Sequence, residues 1–300
     1  MAEGASSNWP VMSIAAANAA LAGPGSPVEL EDAVIRGVAM KVYKNAPPTI
    51  PFILEAAAAQ FADRTYIVYE NERVTFRALH LASRKLARSL VSEYGIVKGD
   101  RVAVIMRNYP EWPLGFYAAL SAGAVTTPMN SWWTAEELEY GLSFVGVKAA
   151  IVDAQIYERI RGMLDRLPNL KHILIARDSA DEIADPRVTS LNDIVGHPNT
   201  WSALPDAGPS GVDLGPDDDA TIMYTSGTTG KPKGALATHR AVIANMFNSS
   251  TCQARMYLRK GEPIPAPDPE AMRATLLAVP FFHATGSFAI LIPSALRGDK

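Results

Sequence analysis

Eleven consecutive residues, Tyr224-Thr225-Ser226-Gly227-Thr228-Thr229-Gly230-Lys231-Pro232-Lys233-Gly234, gather three glycines, four aliphatic hydroxyls and two lysines. Glycine lets the backbone take positive φ and turn its N–H groups toward one point, which builds an anion-binding nest. The hydroxyls add donors at that point and the lysines add charge. A polyphosphate is the guest that this chemistry fits. A Walker loop would need four residues between its glycines and a Ser or Thr after the lysine. Here two residues separate Gly227 from Gly230, and Pro232 follows Lys231. Proline biases Lys231 toward extended backbone, so no helix is expected to start at the lysine, and Lys231 and Lys233 can project to one side. A P-loop phosphohydrolase is disfavoured on that spacing.

Other polar groups carry weaker signals. Asp217-Asp218-Asp219 reads as a solvated strand entrance, because three consecutive side chains do not easily converge on one ion, and no metal ligands are assigned. His239, near the start of a predicted helix, reads as structural. Trp132 and Trp133 read as packing. Asn248-Ser249-Ser250 is a formal glycosylation sequon that carries no weight without a secretory signal.

The elements that must position the loop alternate regularly. Residues 1–46 read as a low-charge extension, with helix expected over 31–40. Helix is predicted over 54–61, strand over 65–70, and a helix capped by Thr75 over 76–91. The uninterrupted apolar run 102–106 suits a strand buried on both faces of a parallel sheet. Helix 111–122, strand 124–128, a helix opened by the capping-box sequence Thr134-Ala135-Glu136-Glu137, strand 149–152, helix 156–167 and strand 172–175 follow. Strand and helix in this alternation mean βαβ units and an α/β fold with doubly wound sheets. A Pro- and Gly-rich break at 195–218 places a subdomain boundary, dividing 47–214 from 215–300. The second part holds strand 221–224, a helix over 238–248, a proline-alternating loop at 262–269, strand 275–279 and a last helix from Gly286. No internal repeat is present.

Composition bounds the possibilities. Hydrophobic residues make up 48% and charged residues 20% of the 300, a globular balance. The net charge of -3 gives no global basic field for nucleic acid. The single cysteine, Cys252, forms no internal disulfide and excludes Cys-rich structural zinc. Residues 11–22 are small and apolar, yet no Lys or Arg precedes Arg36, so the positive region of a signal peptide is missing. The apolar run 288–296 is short and holds Pro293. A cytoplasmic location with at most peripheral membrane contact is the expectation.

Thr225 to Gly234 resembles the signature of the adenylate-forming (AMP-binding) superfamily, matching its Thr-Ser-Gly-Thr-Thr-Gly-x-Pro-Lys-Gly pattern at every fixed position. Phe281-Phe282-His283-Ala284-Thr285-Gly286 resembles the family's downstream aromatic-histidine motif. Gly99-Asp100-Arg101, Asn130 and Glu136-Glu137-Leu138 resemble its N-terminal half. Arg107-Asn108-Tyr109-Pro110-Glu111-Trp112 and the Trp132-Trp133 pair look most like fatty acyl-CoA ligases. The likeness covers roughly residues 47–300.

The resemblance implies an ATP-dependent acid–thiol ligase using Mg²⁺ and coenzyme A. A carboxylate, a fatty acid favoured, attacks the α-phosphate of ATP, and coenzyme A then displaces AMP. It implies that Thr225, Ser226, Gly227, Thr228, Thr229 and Gly230 hold phosphate, that Lys233 neutralises its charge with Lys231 the weaker candidate, and that His283 orients the acyl carboxylate or walls its pocket. Read without the resemblance, His283 is equally a packed histidine at a strand end. The family's later elements are expected beyond residue 300: the Tyr-Gly-x-Thr-Glu segment, the ribose-binding Asp, the hinge and the C-terminal lid with its lysine. No Tyr-Gly pair follows Lys233. The chain therefore reads as the N-terminal half of a ligase, with little turnover expected of it alone, or as a non-catalytic remnant that binds nucleotide or acyl ligand.

Overall fold

The computed structural model describes residues 9–177, 185–225, 230–266, 268 and 271–300. In chain order these form α1 (Ile14–Leu21), β1 (Leu30–Ile35), β2 (Val38–Tyr43), α2 (Ile50–Phe61), β3 (Thr65–Tyr69), β4 (Glu72–Thr75) and α3 (Phe76–Ser92). Then come β5 (Arg101–Ile105), α4 (Glu111–Ser121), β6 (Val125–Pro128), α5 (Ala135–Phe144), β7 (Val147–Asp153), α6 (Ala154–Ile160), β8 (His172–Ala176), β9 (Val188–Ser190) and α7 (Leu191–Val195). The chain continues through β10 (Asp219–Thr225), β11 (Lys233–Thr238), α8 (His239–Lys260) and α9 (Ile292–Arg297), the last entered through a π-helical turn at Thr285–Leu291. Two compact units result: Met1–Pro48 with Arg240–Ala271, and Thr49–His239 with Met272–Lys300.

In the first unit, the helix expected over 31–40 is corrected to an antiparallel hairpin, β1 with β2, in register from Leu30 opposite Tyr43 to Ile35 opposite Val38. Arg36 and Gly37 both have positive φ (51° and 83°), the conformation that a two-residue hairpin turn demands. Tyr43 packs on Phe247 at 5.1 Å between centroids and donates its hydroxyl to Asn248 Oδ1 at 2.7 Å.

The second unit is built on a seven-stranded sheet in the order β11-β10-β6-β5-β7-β8-β9, parallel throughout except for the edge strand β11. β5 and β7 are apolar on both faces, as the run at 102–106 predicts. Ala103, Ile105, Ala150, Val152, Ile173 and Ile175 face a core shared with Leu138 and Leu142 of α5 and Ile156 and Ile160 of α6. The alternate residues meet α4, whose Gly115 lies so close to Val104 and Ile151 that a Cβ there would touch both. Helices thus cover both faces, the doubly wound arrangement. β10 and β11, which follow the boundary expected near residue 214, hydrogen-bond into this same sheet through β6.

Thr75 caps α3 by accepting from Ala78 N–H at 3.1 Å, and Thr134 and Glu137 complete the capping box of α5. The strand expected over 275–279 is corrected. Thr275 N–H donates to Lys300 O and Lys300 N–H to Arg273 O, both at 2.8 Å, but no described strand pairs with the segment beyond that.

Candidate functional site

The glycine-rich run connects two antiparallel strands. β10 and β11 pair down to Thr225 opposite Lys233, so the connection closes a hairpin. A strand, β11, and not a helix begins at Lys233, which agrees with the effect expected of Pro232 and separates this loop from a Walker cradle. Ser226, Gly227, Thr228 and Thr229 lie outside the described residues. Gly230 has φ of 85°, a left-handed conformation that side-chain-bearing residues rarely adopt.

The described end of the loop opens on a cavity of about 630 Å³, within the size range of small-molecule sites. Thr225, Gly230 and Pro232 form one wall, Asn130, Trp133 and Glu137 another, and Phe282, His283 and Ala284 a third. The site therefore sits at the carboxyl ends of β6 and β10. At the topological switch point between β5 and β7, the Arg107 N–H instead reaches Asp153 Oδ2 at 3.3 Å, and the same carboxylate caps α6 through Ile156 N–H at 2.9 Å. Protein groups thus engage each other at the place where open α/β sheets commonly take a ligand.

Helix α5 braces the loop. Tyr224, the residue before Thr225, donates its hydroxyl to Gly141 O at 2.6 Å, and burial, with the Tyr140 phenol nearby, raises its pKa above the usual phenol value. The Trp133 ring meets Tyr224 edge-on at 5.2 Å. It also lies so close to Gly141 that a Cβ there would come within 2.7 Å of it, so the bare glycine lets the ring seat. Tyr140 donates its hydroxyl to Pro232 O at 3.2 Å, and the Lys231 ammonium lies 5.2 Å from the centroid of the Tyr140 ring.

The third wall is fixed from the loop after β5 and from α4. The Asn108 amide donates to Val279 O at 3.0 Å and accepts from Phe281 N–H at 2.9 Å, bracketing Pro280. Trp112 stacks on Phe281 at 5.0 Å. His283 follows in a turn, its N–H donating to Pro280 O at 3.1 Å. Its Nδ1 accepts from Thr285 N–H at 3.2 Å, which in the neutral ring leaves the proton on Nε2. Gly286 approaches the Pro280 carbonyl so closely that any side chain would collide with it.

Of the residues expected at a site, Thr225, Gly230 and His283 line one cavity. Lys231 and Lys233 are exposed, and the Lys231 ammonium lies on Tyr140. Trp132 is 67% exposed and meets Phe282 edge-on, while Trp133, read as packing, both packs and lines the cavity. His239 is buried, its Nδ1 accepting from Ile50 N–H at 3.2 Å. Asp218 pairs with Lys98 at 2.7 Å and accepts from Gly215 N–H at 2.6 Å. The bracing roles of Tyr140 and Asn108 were not legible, because each depends on a contact dozens of residues away in sequence.

The sequence matches the AMP-binding enzyme family over residues 54–299. The long-chain-fatty-acid–CoA ligase of Escherichia coli O6:H1 is 31% identical across 65% of this chain and 37% of that protein. The ligase of the same name from Bacillus subtilis is 29% identical across 81% of this chain and 44% of that one. Among solved structures, the inhibitor-bound N-terminal domain of FACL13 from Mycobacterium tuberculosis superposes with a TM-score of 0.64 at 29% identity, covering 84% of this chain and 56% of that one. The chain belongs to the AMP-binding enzyme family. It spans less than half the length of each of these two ligases.

Proposed function

We propose that this chain supplies the phosphate-binding part of an ATP-dependent acid–CoA ligase, acting on a carboxylic acid with fatty acids favoured. The observation that carries the reading is that the described ends of the glycine-rich loop, Thr225, Gly230 and Pro232, open on the cavity that His283 and the rings of Trp133, Tyr224 and Phe282 also line. In the first step a carboxylate oxygen attacks the α-phosphorus of ATP, and the bond to pyrophosphate breaks. Charge builds on the departing pyrophosphate, so preorganised donors there lower the barrier more than they stabilise the ground state. The loop hydroxyls of Thr225, Ser226, Thr228 and Thr229 and the N–H groups around Gly227 and Gly230 are assigned to those oxygens. Lys233 is assigned the charge, with Lys231 the second candidate. Magnesium bound with the nucleotide neutralises further phosphate charge. His283 orients the acyl carboxylate or walls its pocket. In the second step the coenzyme A sulfur attacks the acyl carbonyl and AMP leaves.

Carboxylate-dependent exchange of labelled pyrophosphate into ATP tests this reading. Exchange stimulated by a long-chain fatty acid and reduced at least tenfold by Lys233→Met is the expected result for the ligase. ATP binding without exchange for any acid would assign the chain to the alternative, a non-catalytic nucleotide-binding remnant.

A further inference from the structure

Both ends of the glycine-rich loop are tied to adjacent residues of one helix. Tyr224, at the end of β10, donates to the carbonyl of Gly141 at 2.6 Å. Pro232, just before β11, accepts from the hydroxyl of Tyr140 at 3.2 Å. The Tyr140 ring also carries the Lys231 ammonium at 5.2 Å, within cation–π range. That ring is itself held, stacked on Phe144 one turn along α5 at 5.3 Å and 20° between planes. The helix beneath is fixed by its capping box and by Leu138 and Leu142 in the core. Only one side chain in this set, Tyr140, holds the loop's far end, and it does so at two consecutive residues.

We propose that Tyr140 is a positioning residue for the phosphate loop, holding Lys231 and Pro232 so that the far end of the loop stays in register with the end anchored at Tyr224. A loop end already held in place meets a polyphosphate with less ordering left to do, and affinity gained in this way is lost when the tie is cut. Tyr140 touches Lys231 and Pro232 and does not line the cavity, so its removal weakens polyphosphate binding through Lys231. The proposal rests on the reading of this loop as a polyphosphate site.

The test compares wild type with Tyr140→Phe, Tyr140→Leu, Lys231→Met and the Tyr140→Leu/Lys231→Met pair, each checked for an unchanged melting temperature. The first readout needs no nucleotide. The ε-methylene protons of Lys231 should show an upfield ring-current shift by NMR, kept in Tyr140→Phe and lost in Tyr140→Leu. The second readout is calorimetric titration with Mg·ATP and with inorganic pyrophosphate. Tyr140→Leu should weaken both by roughly fivefold and Tyr140→Phe by about twofold, the scale of one exposed cation–π contact and one neutral hydrogen bond. Lys231→Met should cost less in the Tyr140→Leu background than in wild type, because the two residues act as one unit. An absent ring-current shift overturns the proposal whatever ATP does. Wild-type affinity in Tyr140→Leu, or strictly additive losses in the pair, overturns it as well. A present shift with no wild-type binding of either probe sinks the polyphosphate reading, and the positioning role falls with it.

Discussion

His239 carries an imidazole into the core to serve one backbone N–H. α2 begins at Ile50, and its first N–H groups have no partner within the helix. Thr49 takes the Phe52 N–H, and the His239 Nδ1 takes that of Ile50. A proton on Nδ1 would abolish this bond and set a positive charge against a helix N-terminus. Burial lowers the His239 pKa to about 4, with Lys98 adding to the depression and Asp218 opposing it. The unfolded chain takes up this proton near pH 6.5, whereas the folded chain does so only near pH 4. Its contribution to stability is therefore complete above pH 6.5 and falls as pH drops through that window, by about 1.4 kcal/mol per unit. His239→Asn keeps an acceptor at the Nδ1 position and removes the titration. Chemical denaturation from pH 7 to pH 4 should show a flatter decline for the variant than for wild type. Equal slopes would exclude His239 as the titrating group.

At the scale of elements, single side chains tie distant segments to the ends of strands. Asn108 brackets Pro280 with two hydrogen bonds and so fixes the approach to His283. Arg177, with φ of 61°, bonds Glu111 at 3.0 Å and Glu72 at 2.6 Å while its guanidinium lies 4.9 Å from the Tyr69 ring and 4.5 Å from the Tyr109 ring. Burial raises the Glu111 pKa even though Arg177 pulls it down, the balance expected of an ion pair taken largely out of water. Asn108→Ala strands one carbonyl and one N–H, at about 1 kcal/mol for each lost bond. Denaturant titration should therefore find the variant about 2 kcal/mol less stable. Asn108→Asp, which keeps the acceptor but turns a carboxylate on the Val279 carbonyl, should be at least as costly. A wild-type midpoint for Asn108→Asp would remove the bracket from the account.

Elements with their own local signal were legible in the sequence. Thr75 and Thr134 announced helix starts through hydroxyls that reach only three residues ahead, and the apolar run at 102–106 announced a strand buried on both faces. The hairpin at β1 and β2 was obscured because its signal lies in two backbone angles at Arg36 and Gly37, and an Arg-Gly pair does not name a turn. At the site, glycine and hydroxyl spacing pointed to an anion cradle, which remains the reading proposed above for this loop. Tyr140 had no such signature, since an aromatic residue on an amphipathic helix ordinarily reads as packing.

Over the whole molecule, buried apolar side chains are distributed unevenly between the two compact units. Among the described residues of Met1–Pro48 with Arg240–Ala271 the deeply buried ones are Ala17, Val42, Val242, Ile243 and Met246. Thr49–His239 with Met272–Lys300 holds the rest, including Trp112, Phe116, Tyr117, Trp201 and all of β5 from Val102 to Ile105. Each fully buried aliphatic or aromatic side chain contributes about 1.5–3 kcal/mol relative to exposure. The hairpin of the first unit also presents Val34 at 70% and Val38 at 58% exposure, so its hydrogen bonds border water. A two-stranded hairpin with so little covered surface has little to hold it closed alone. Local opening follows where buried contacts are few and backbone bonds are solvated. Amide hydrogen exchange followed by mass spectrometry should therefore label 30–43 at least a hundredfold faster than 101–105 and 147–153 under native conditions. Ala39→Thr, which raises strand propensity at an exposed hairpin position, should slow exchange in 30–43 and leave the sheet unchanged. Equal protection in the hairpin and in β5 would mean that the two units open as a single cooperative body.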